Sequence, residues 1–288
     1  MGRRNKYKNL GIVLVSFTAI FAVIGMIFET MAILFGYDAH MRVFKLGSKI
    51  GAASVAALFI LSIATVTLAI CVGKLAKMRT KTRNSSFGDV ISSIGGFAMA
   101  ASSVMFLIES INRMNEKIKV AENSGKELGA IEELGILGIL SIILVVLSLP
   151  VALYFLLGTE KKDRLTTFLS FFPPIWNAAC LVRLYFDSET AINDPVRILL
   201  QVTLVAVMLA LMYDLKLRTM ETGKIMFTVT ASLATVLACS SFMSIMLLFV
   251  IVKVGSIARM LLSASLLLMS LYLLMRLNGY YKPYKDRD

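Results

Sequence analysis

Eight apolar stretches alternate with short charged segments along the chain: Ile12 to Phe35, Ile50 to Val72, Val90 to Ile108, Ile136 to Gly158, Thr166 to Val182, Ile198 to Tyr213, Ile225 to Val252 and Ile257 to Met275. About 20 residues at 1.5 Å each are needed to cross the hydrocarbon of a bilayer, and only structures that satisfy their own backbone groups survive there. The pattern therefore predicts an all-α, polytopic transmembrane bundle of eight spanning helices. The fifth, sixth and eighth stretches borrow flanking residues to reach that length, and the seventh must tilt or bend.

Composition strengthens this prediction. With 58% hydrophobic residues, a mean hydropathy of +0.79 and 17% charged residues, the chain has too little polar surface to coat a water-soluble globule of its size. The first stretch is too long for a secretory signal core and lacks a small-residue cleavage site, so it is expected to stay as a helix. Position 6 is lysine, which argues against myristoylation at Gly2.

Charge placement sets an expected orientation. Arg3, Arg4, Lys6 and Lys8, the Lys74 to Arg83 run, Lys161 to Arg164, Lys216, Arg218 and Lys224, and Arg276 to Arg287 hold 19 of the 30 basic residues. The alternate segments carry fewer basic residues and most of the acids, so both termini are expected to be cytoplasmic. The net charge of +12 is then an inner-face excess. Anionic lipid headgroups account for it without nucleic acid. The lysines of the Lys74 run and those around Tyr280, Tyr281 and Tyr284 read as interface anchors.

The chain reads as one membrane domain with one longer connector, about residues 109–135, expected on the outer side. Ile111, Met114, Ile118 and Ala121 recur there at helical spacing before Asn123, Ser124 and Gly125. The third helix is thus expected to project beyond the membrane. A division into two four-helix repeats, joined at Glu160 to Arg164, finds no support beyond general hydrophobicity.

Polar residues inside the apolar stretches are the candidate functional groups, because each is costly in lipid and turns toward protein or water. Glu29, Glu109 and Arg183 fall at similar distances along three helices that run in one direction, and Gln201 reaches a matching level from the other side. The helix carrying Gln201 is expected to be capped by Asn193 or Asp194, with Pro195 in its first turn. The expectation is a cavity lined by Glu29, Asn177, Arg183 and Gln201, with Glu109 at its rim. A guanidinium with two carboxylates there suits a zwitterionic or anionic solute, or an ion-pair gate. The competing expectation is that Arg183 snorkels to the headgroups and Glu29 merely pairs with it to hold the bundle.

Helix geometry adds to this. Pro173 and Pro174 remove two donors near mid-membrane, so the fifth helix is expected to kink or break, and Pro150 to bend the fourth more mildly. Ser92, Gly96, Ala100 and Ser103, and likewise Gly51, Ala52, Ala53, Ala56 and Ala57, form small-residue strips suited to close helix packing. Ser232, Cys239, Ser240, Ser241 and Ser244 give the seventh helix a polar stripe.

Signatures of chemistry are few. The single histidine, His40, follows Asp38 with no third ligand, and Cys71, Cys180 and Cys239 lie in different helices without metal spacing, so no metal or other cofactor is expected. No HExxH, GxSxG or phosphate-binding glycine loop occurs, and the chain is expected not to be an enzyme.

The block Phe172-Pro173-Pro174-Ile175-Trp176, then Arg183-Leu184-Tyr185-Phe186-Asp187, then Leu211-Met212-Tyr213 resembles a stretch in multi-pass membrane proteins of Gram-positive bacteria that have no established activity. The resemblance covers residues 172–213 and implies a bacterial cytoplasmic membrane. Two function classes remain: an accessory, sensor or assembly protein acting through a protein partner or a second copy, and a small-solute transporter. A buried cavity joining Glu29, Arg183 and Gln201 favours transport. A flush, packed bundle with a small-residue face open to lipid favours assembly.

Overall fold

A computed structural model describes residues 8–38, 41–45, 47–75, 86–123, 130–157, 164–187 and 191–281. His40, the basic residues at 3–6, Lys77 to Arg83, Lys161, Lys162 and the tail from Lys282 lie outside them. The helices are α1 (Lys8–Met31), α2 (Lys49–Leu75), α3 (Ser86–Asn123), α4 (Ala130–Leu157), α5 (Arg164–Leu169), α6 (Phe172–Phe186), α7 (Pro195–Met220), α8 (Lys224–Leu247) and α9 (Ile257–Tyr281). With α5 and α6 sharing one passage, eight segments among the described residues are long and apolar enough to cross a membrane. The protein is a multi-pass membrane protein.

Among the described residues, one feature departs from all-α structure. Between α1 and α2 a two-residue hairpin pairs β1 (Tyr37–Asp38) with β2 (Val43–Phe44), antiparallel, with Tyr37 opposite Phe44. Arg42 turns this hairpin at a φ of 53°, a left-handed conformation uncommon for a residue with a Cβ.

The bundle is arranged around α8, which packs against α1, α2, α7 and α9. Ser232, Ala234, Thr235, Ala238, Ser240, Ser241 and Ser244 are all buried on it. Small side chains let neighbouring backbones close in, and two of the hydroxyls return their protons to the helix itself: Thr235 donates to the Ala231 carbonyl at 2.9 Å and Ser240 to that of Val236 at 3.0 Å. A second group forms where α3 packs along α4 and α9, and α6 along α4 and α7. Of the small-residue strips, that of α3 is internal: a Cβ on Gly96 would come within 3.0 Å of Phe155. That of α2 is mostly uncovered. Gly51 is buried under Phe44, whereas Ala52, Ala53 and Ala56 are exposed.

Large apolar side chains such as Phe59, Ile60, Phe97, Val146 and Phe168 are exposed around the outside of the bundle. In water such a surface would aggregate; in lipid it is the solvated face.

The irregular helices differ in detail from expectation. The fifth passage is broken at Ser170 and Phe171, one residue before the prolines, so Pro173 and Pro174 occupy the first turn of α6 rather than a helix interior. Amides in that turn have no partner within the helix, so proline costs little there. The break lies six to seven residues from Arg164, about 10 Å at 1.5 Å per residue, and so in one third of the passage rather than at its middle. In α4 the sharp departure is at Gly135, with φ 58° and ψ −174°, and the helix continues through Pro150. The seventh passage ends in a π-helical turn at Leu248–Val252, which Lys253 closes at a φ of 55°. α3 is helical to Asn123, well past the apolar stretch that ends at Ile108, as the spacing predicts.

Candidate functional site

Among the described residues of the spans, three clusters of charged side chains stand out. Glu29, on α1 one turn before the π-helical segment Ala32–Gly36, is buried and accepts hydrogen bonds from Ser54 of α2 at 2.6 Å and Ser244 of α8 at 2.7 Å. Three helices converge on one carboxylate. Ser244 also reaches the Ser240 carbonyl at 3.0 Å, so it is anchored twice.

Arg183 belongs to a different cluster. It is on α6, which packs against α4 and α7, whereas α1 packs against α2, α8 and α9. Glu29 and Arg183 thus stand on helices with different packing partners, and it is Ser54 and Ser244 that hold the Glu29 carboxylate. The Arg183 guanidinium is buried, donates from Nε to Ser141 of α4 at 2.9 Å and lies 3.8 Å from the centre of the Phe106 ring of α3. A cation over an aromatic face keeps part of the stabilisation it loses with water. Ser141 meets Ser110 of α3 at 3.0 Å, so Arg183 also ties three helices together. It does not snorkel.

The carboxylates that bear on Arg183 are Asp187, which caps the C-terminal end of α6, and Glu109. Asp187 is buried, forms an ion pair with Arg259 of α9 and stands 3.9 Å from Arg113 of α3. Glu109 accepts from the Ala258 amide at 3.3 Å, capping the first turn of α9, where amides lack helical partners and a negative charge suits the helix dipole. Arg197, on α7, donates to the carbonyls of Leu184 and Tyr185 at 2.7 and 2.9 Å and so closes the C-terminal end of α6. Beside it, Asp194 caps α7 by accepting from the Val196 amide at 3.0 Å, as the sequence predicts. Burial holds the Asp194 carboxyl above the ordinary carboxylate range.

The third cluster sits at the opposite end of the bundle and was not anticipated. Asp214 of α7 is fully buried, with Arg276 Nε of α9 at 2.9 Å and Arg218 at 2.8 Å. Arg276 donates to Tyr272 and Tyr280 at 3.0 and 2.9 Å, and Arg218 donates to Tyr154 of α4. Two signals in the sequence mark this network: Asp214 and Arg218 at i, i+4, and Tyr272, Arg276 and Tyr280 at four-residue spacing. They were hidden because Asp214 and Arg276 end apolar runs and so read as loop charges.

The remaining candidates stand apart. Asn177 is fully buried and donates to the Pro173 carbonyl at 2.8 Å, within its own helix. Gln201, near the start of α7, is partly buried. A cavity of about 50 Å³ lies among Leu184, Asp194, Arg197 and Arg259, and a groove of about 630 Å³ runs along α6 and α7. Neither is lined by Glu29, Glu109, Asn177, Arg183 or Gln201. Among the described residues, no group of three or more His, Cys, Asp and Glu side chains gathers as metal ligands.

The fold and its clusters define an eight-span membrane bundle tied by ionic contacts near both ends. No protein-family model matches the chain, and neither a curated protein nor a solved structure matches it.

Proposed function

We propose that the chain is a non-enzymatic protein of a bacterial cytoplasmic membrane that acts by contact with other proteins, in an accessory, sensor or assembly role. The observation that carries this reading is that the ionic groups inside the bundle are engaged by its own helices. Glu29 is held by Ser54 and Ser244, Arg183 by Ser141 and Phe106, and Asp214 by Arg218 and Arg276. A transport pathway through this cluster needs polar groups facing a shared cavity at membrane depth. The bundle instead spends them on helix contacts, while Ala52, Ala53 and Ala56 of α2 stay uncovered, as a face for another membrane helix requires. The positive-inside bias supports the Asp214 end as cytoplasmic and the projecting end of α3 as external.

Cysteines placed singly at Ala52 and Ala56 in a chain lacking Cys71, Cys180 and Cys239, and oxidised in native membranes, are expected to give one discrete adduct. The same substitution at the exposed Ile142 of α4 is expected to give none. The competing transport reading is tested by a thermal-shift screen of the purified protein against small solutes, since a ligand selective for the folded state raises its stability. A solute whose effect is lost in Arg183→Ala but kept in Arg42→Gln would overturn the proposal in favour of transport.

A further inference from the structure

The groove between α6 and α7 follows α7 from Met208 to Met220. Its members there recur at steps of three and four residues, as in Met208, Met212, Leu215 and Thr219, so they share one face of the helix. At 1.5 Å per residue that face is about 18 Å long. Half of a hydrocarbon core of about 30 Å is a similar length, so the groove runs the depth of one leaflet. The facing wall begins at the break in the fifth passage, with Phe171, Ile175 and Ala178 on α6. Phe171 and Ile175 are about half exposed, whereas Pro174 is buried and Ala178 half-buried, which leaves a low floor between raised side chains.

The polar members of the α7 face, Tyr213, Lys216 and Thr219, all lie in its C-terminal part, where the passage leaves its apolar stretch. Lys216 is exposed, and among the described residues no ion pair engages it. Arg218, two residues on, is instead committed to Asp214 and Tyr154. The turn after α7, with Glu221 at φ 56° and Gly223 at φ 86°, folds back on this end: a Cβ on Gly223 would stand 3.2 Å from Tyr213 Cδ1 and 3.7 Å from Lys216 Cδ. The stem of Lys216 is thus held beside the Tyr213 ring.

A membrane helix and a lipid tail both suit an apolar groove that faces a bilayer. Close helix association runs through small residues, but the raised side chains here are Phe171, Ile175 and Met212. Unbranched Met208, Met212 and Met220 adapt to a flexible chain. A lysine at the end of such a groove complements a negative headgroup at the membrane surface. We propose that the groove holds one acyl chain of an anionic phospholipid, whose phosphate rests on Lys216. The site uses none of the three charged clusters and does not depend on which protein partner the chain has.

The full-length protein, purified in a neutral detergent, is titrated with phosphatidylglycerol, with phosphatidylcholine of the same chains, and with glycerol phosphate while thermal unfolding is followed. Phosphatidylglycerol is expected to raise the midpoint in a saturable way, at about fivefold lower concentration than phosphatidylcholine, as one lysine near a membrane surface supplies. Glycerol phosphate, a headgroup without chains, should leave the midpoint unchanged. Lys216→Gln should abolish the preference, and Lys117→Gln, at an exposed position of α3, should keep it. Ala178→Phe, which fills the floor, should weaken both lipids. Equal affinities for the two lipids, a preference that survives in Lys216→Gln, stabilisation by glycerol phosphate, or unchanged affinities in a folded Ala178→Phe protein would each overturn the proposal. Should either variant fail to fold, the unaltered protein decides the matter. Phosphatidylglycerol with a diazirine in one chain, irradiated in reconstituted membranes, is expected to label residues 171–178 and 208–220 above the exposed apolar positions Phe97 and Val146. Even labelling of all these faces overturns the site.

Discussion

A buried carboxylate flanked by two guanidiniums is stable only while all three charges are present, and Asp214 is therefore expected to tolerate replacement less well than Glu29. Removing one partner of a buried ionic set leaves the others uncompensated, at about 3–5 kcal/mol. Asp214→Ala is expected to cost that much, and a second change, Arg276→Met, to recover part of it. Glu29→Ala removes a group bound only by hydroxyls, and Ser244 keeps its bond to the Ser240 carbonyl, so the expected cost is smaller, about 1–3 kcal/mol. Thermal unfolding in one detergent compares the three variants. If Asp214→Ala proves no worse than Glu29→Ala, the Asp214 network is not what holds that end together. At this scale the sequence marks some of the expensive charges, Glu29 and Arg183, but not Asp214 or Arg276, and not the groups that hold them. Glu29 and Arg183 stood out because they interrupt apolar runs. Their partners, Ser54, Ser244 and Ser141, are serines like many others in the spans, and only the three-dimensional arrangement selects them.

Between helices, α1 and α9 approach closely at Gly11. A Cβ on Gly11 would fall 2.3 Å from the Tyr281 Cβ and 2.8 Å from its Cγ, atoms close to the backbone that cannot swing aside. Gly11→Ala is expected to push α1 from α9 and lower stability by about 1–3 kcal/mol, as overpacking does. Val23→Ala, at an exposed position on the same helix, should stay within about 0.5 kcal/mol. Equal midpoints for the two variants in a thermal melt would count against this close packing. The eight passages themselves were readable, because hydrophobic length is a property of consecutive residues. The details were less so. Pro173 and Pro174 announced an irregularity, but its place at Ser170 and Phe171 follows from proline's preference for a first turn, which moves the break ahead of the prolines. Gly135, rather than Pro150, marks the sharp departure in α4, since a φ of 58° suits a residue without a Cβ.

Across the whole molecule, neighbour relations were the part that hydrophobicity could not reveal. Every span looks alike to lipid, so nothing in the apolar runs states that α8 lies among α1, α2, α7 and α9 while α6 sits across the bundle from α1. Depth along each helix, which carries no information about azimuth, does not state that Glu109 bears on Arg183 while Glu29 is held by Ser54 and Ser244. One consequence of the two terminal clusters concerns the bilayer itself. Arg259 and Arg276 bind Asp187 and Asp214 from opposite ends of α9, and Arg197 and Asp214 are spaced by the same number of residues on α7, about 26 Å at 1.5 Å per residue. That spacing lies close to the thickness of a hydrocarbon core, about 30 Å. The paired charges are thus expected to favour a bilayer whose hydrocarbon fits between them. Reconstituted into lipids of graded acyl length, the protein is expected to be most stable where the hydrocarbon matches that spacing and to lose stability in thicker bilayers, which would draw both ionic belts into oil.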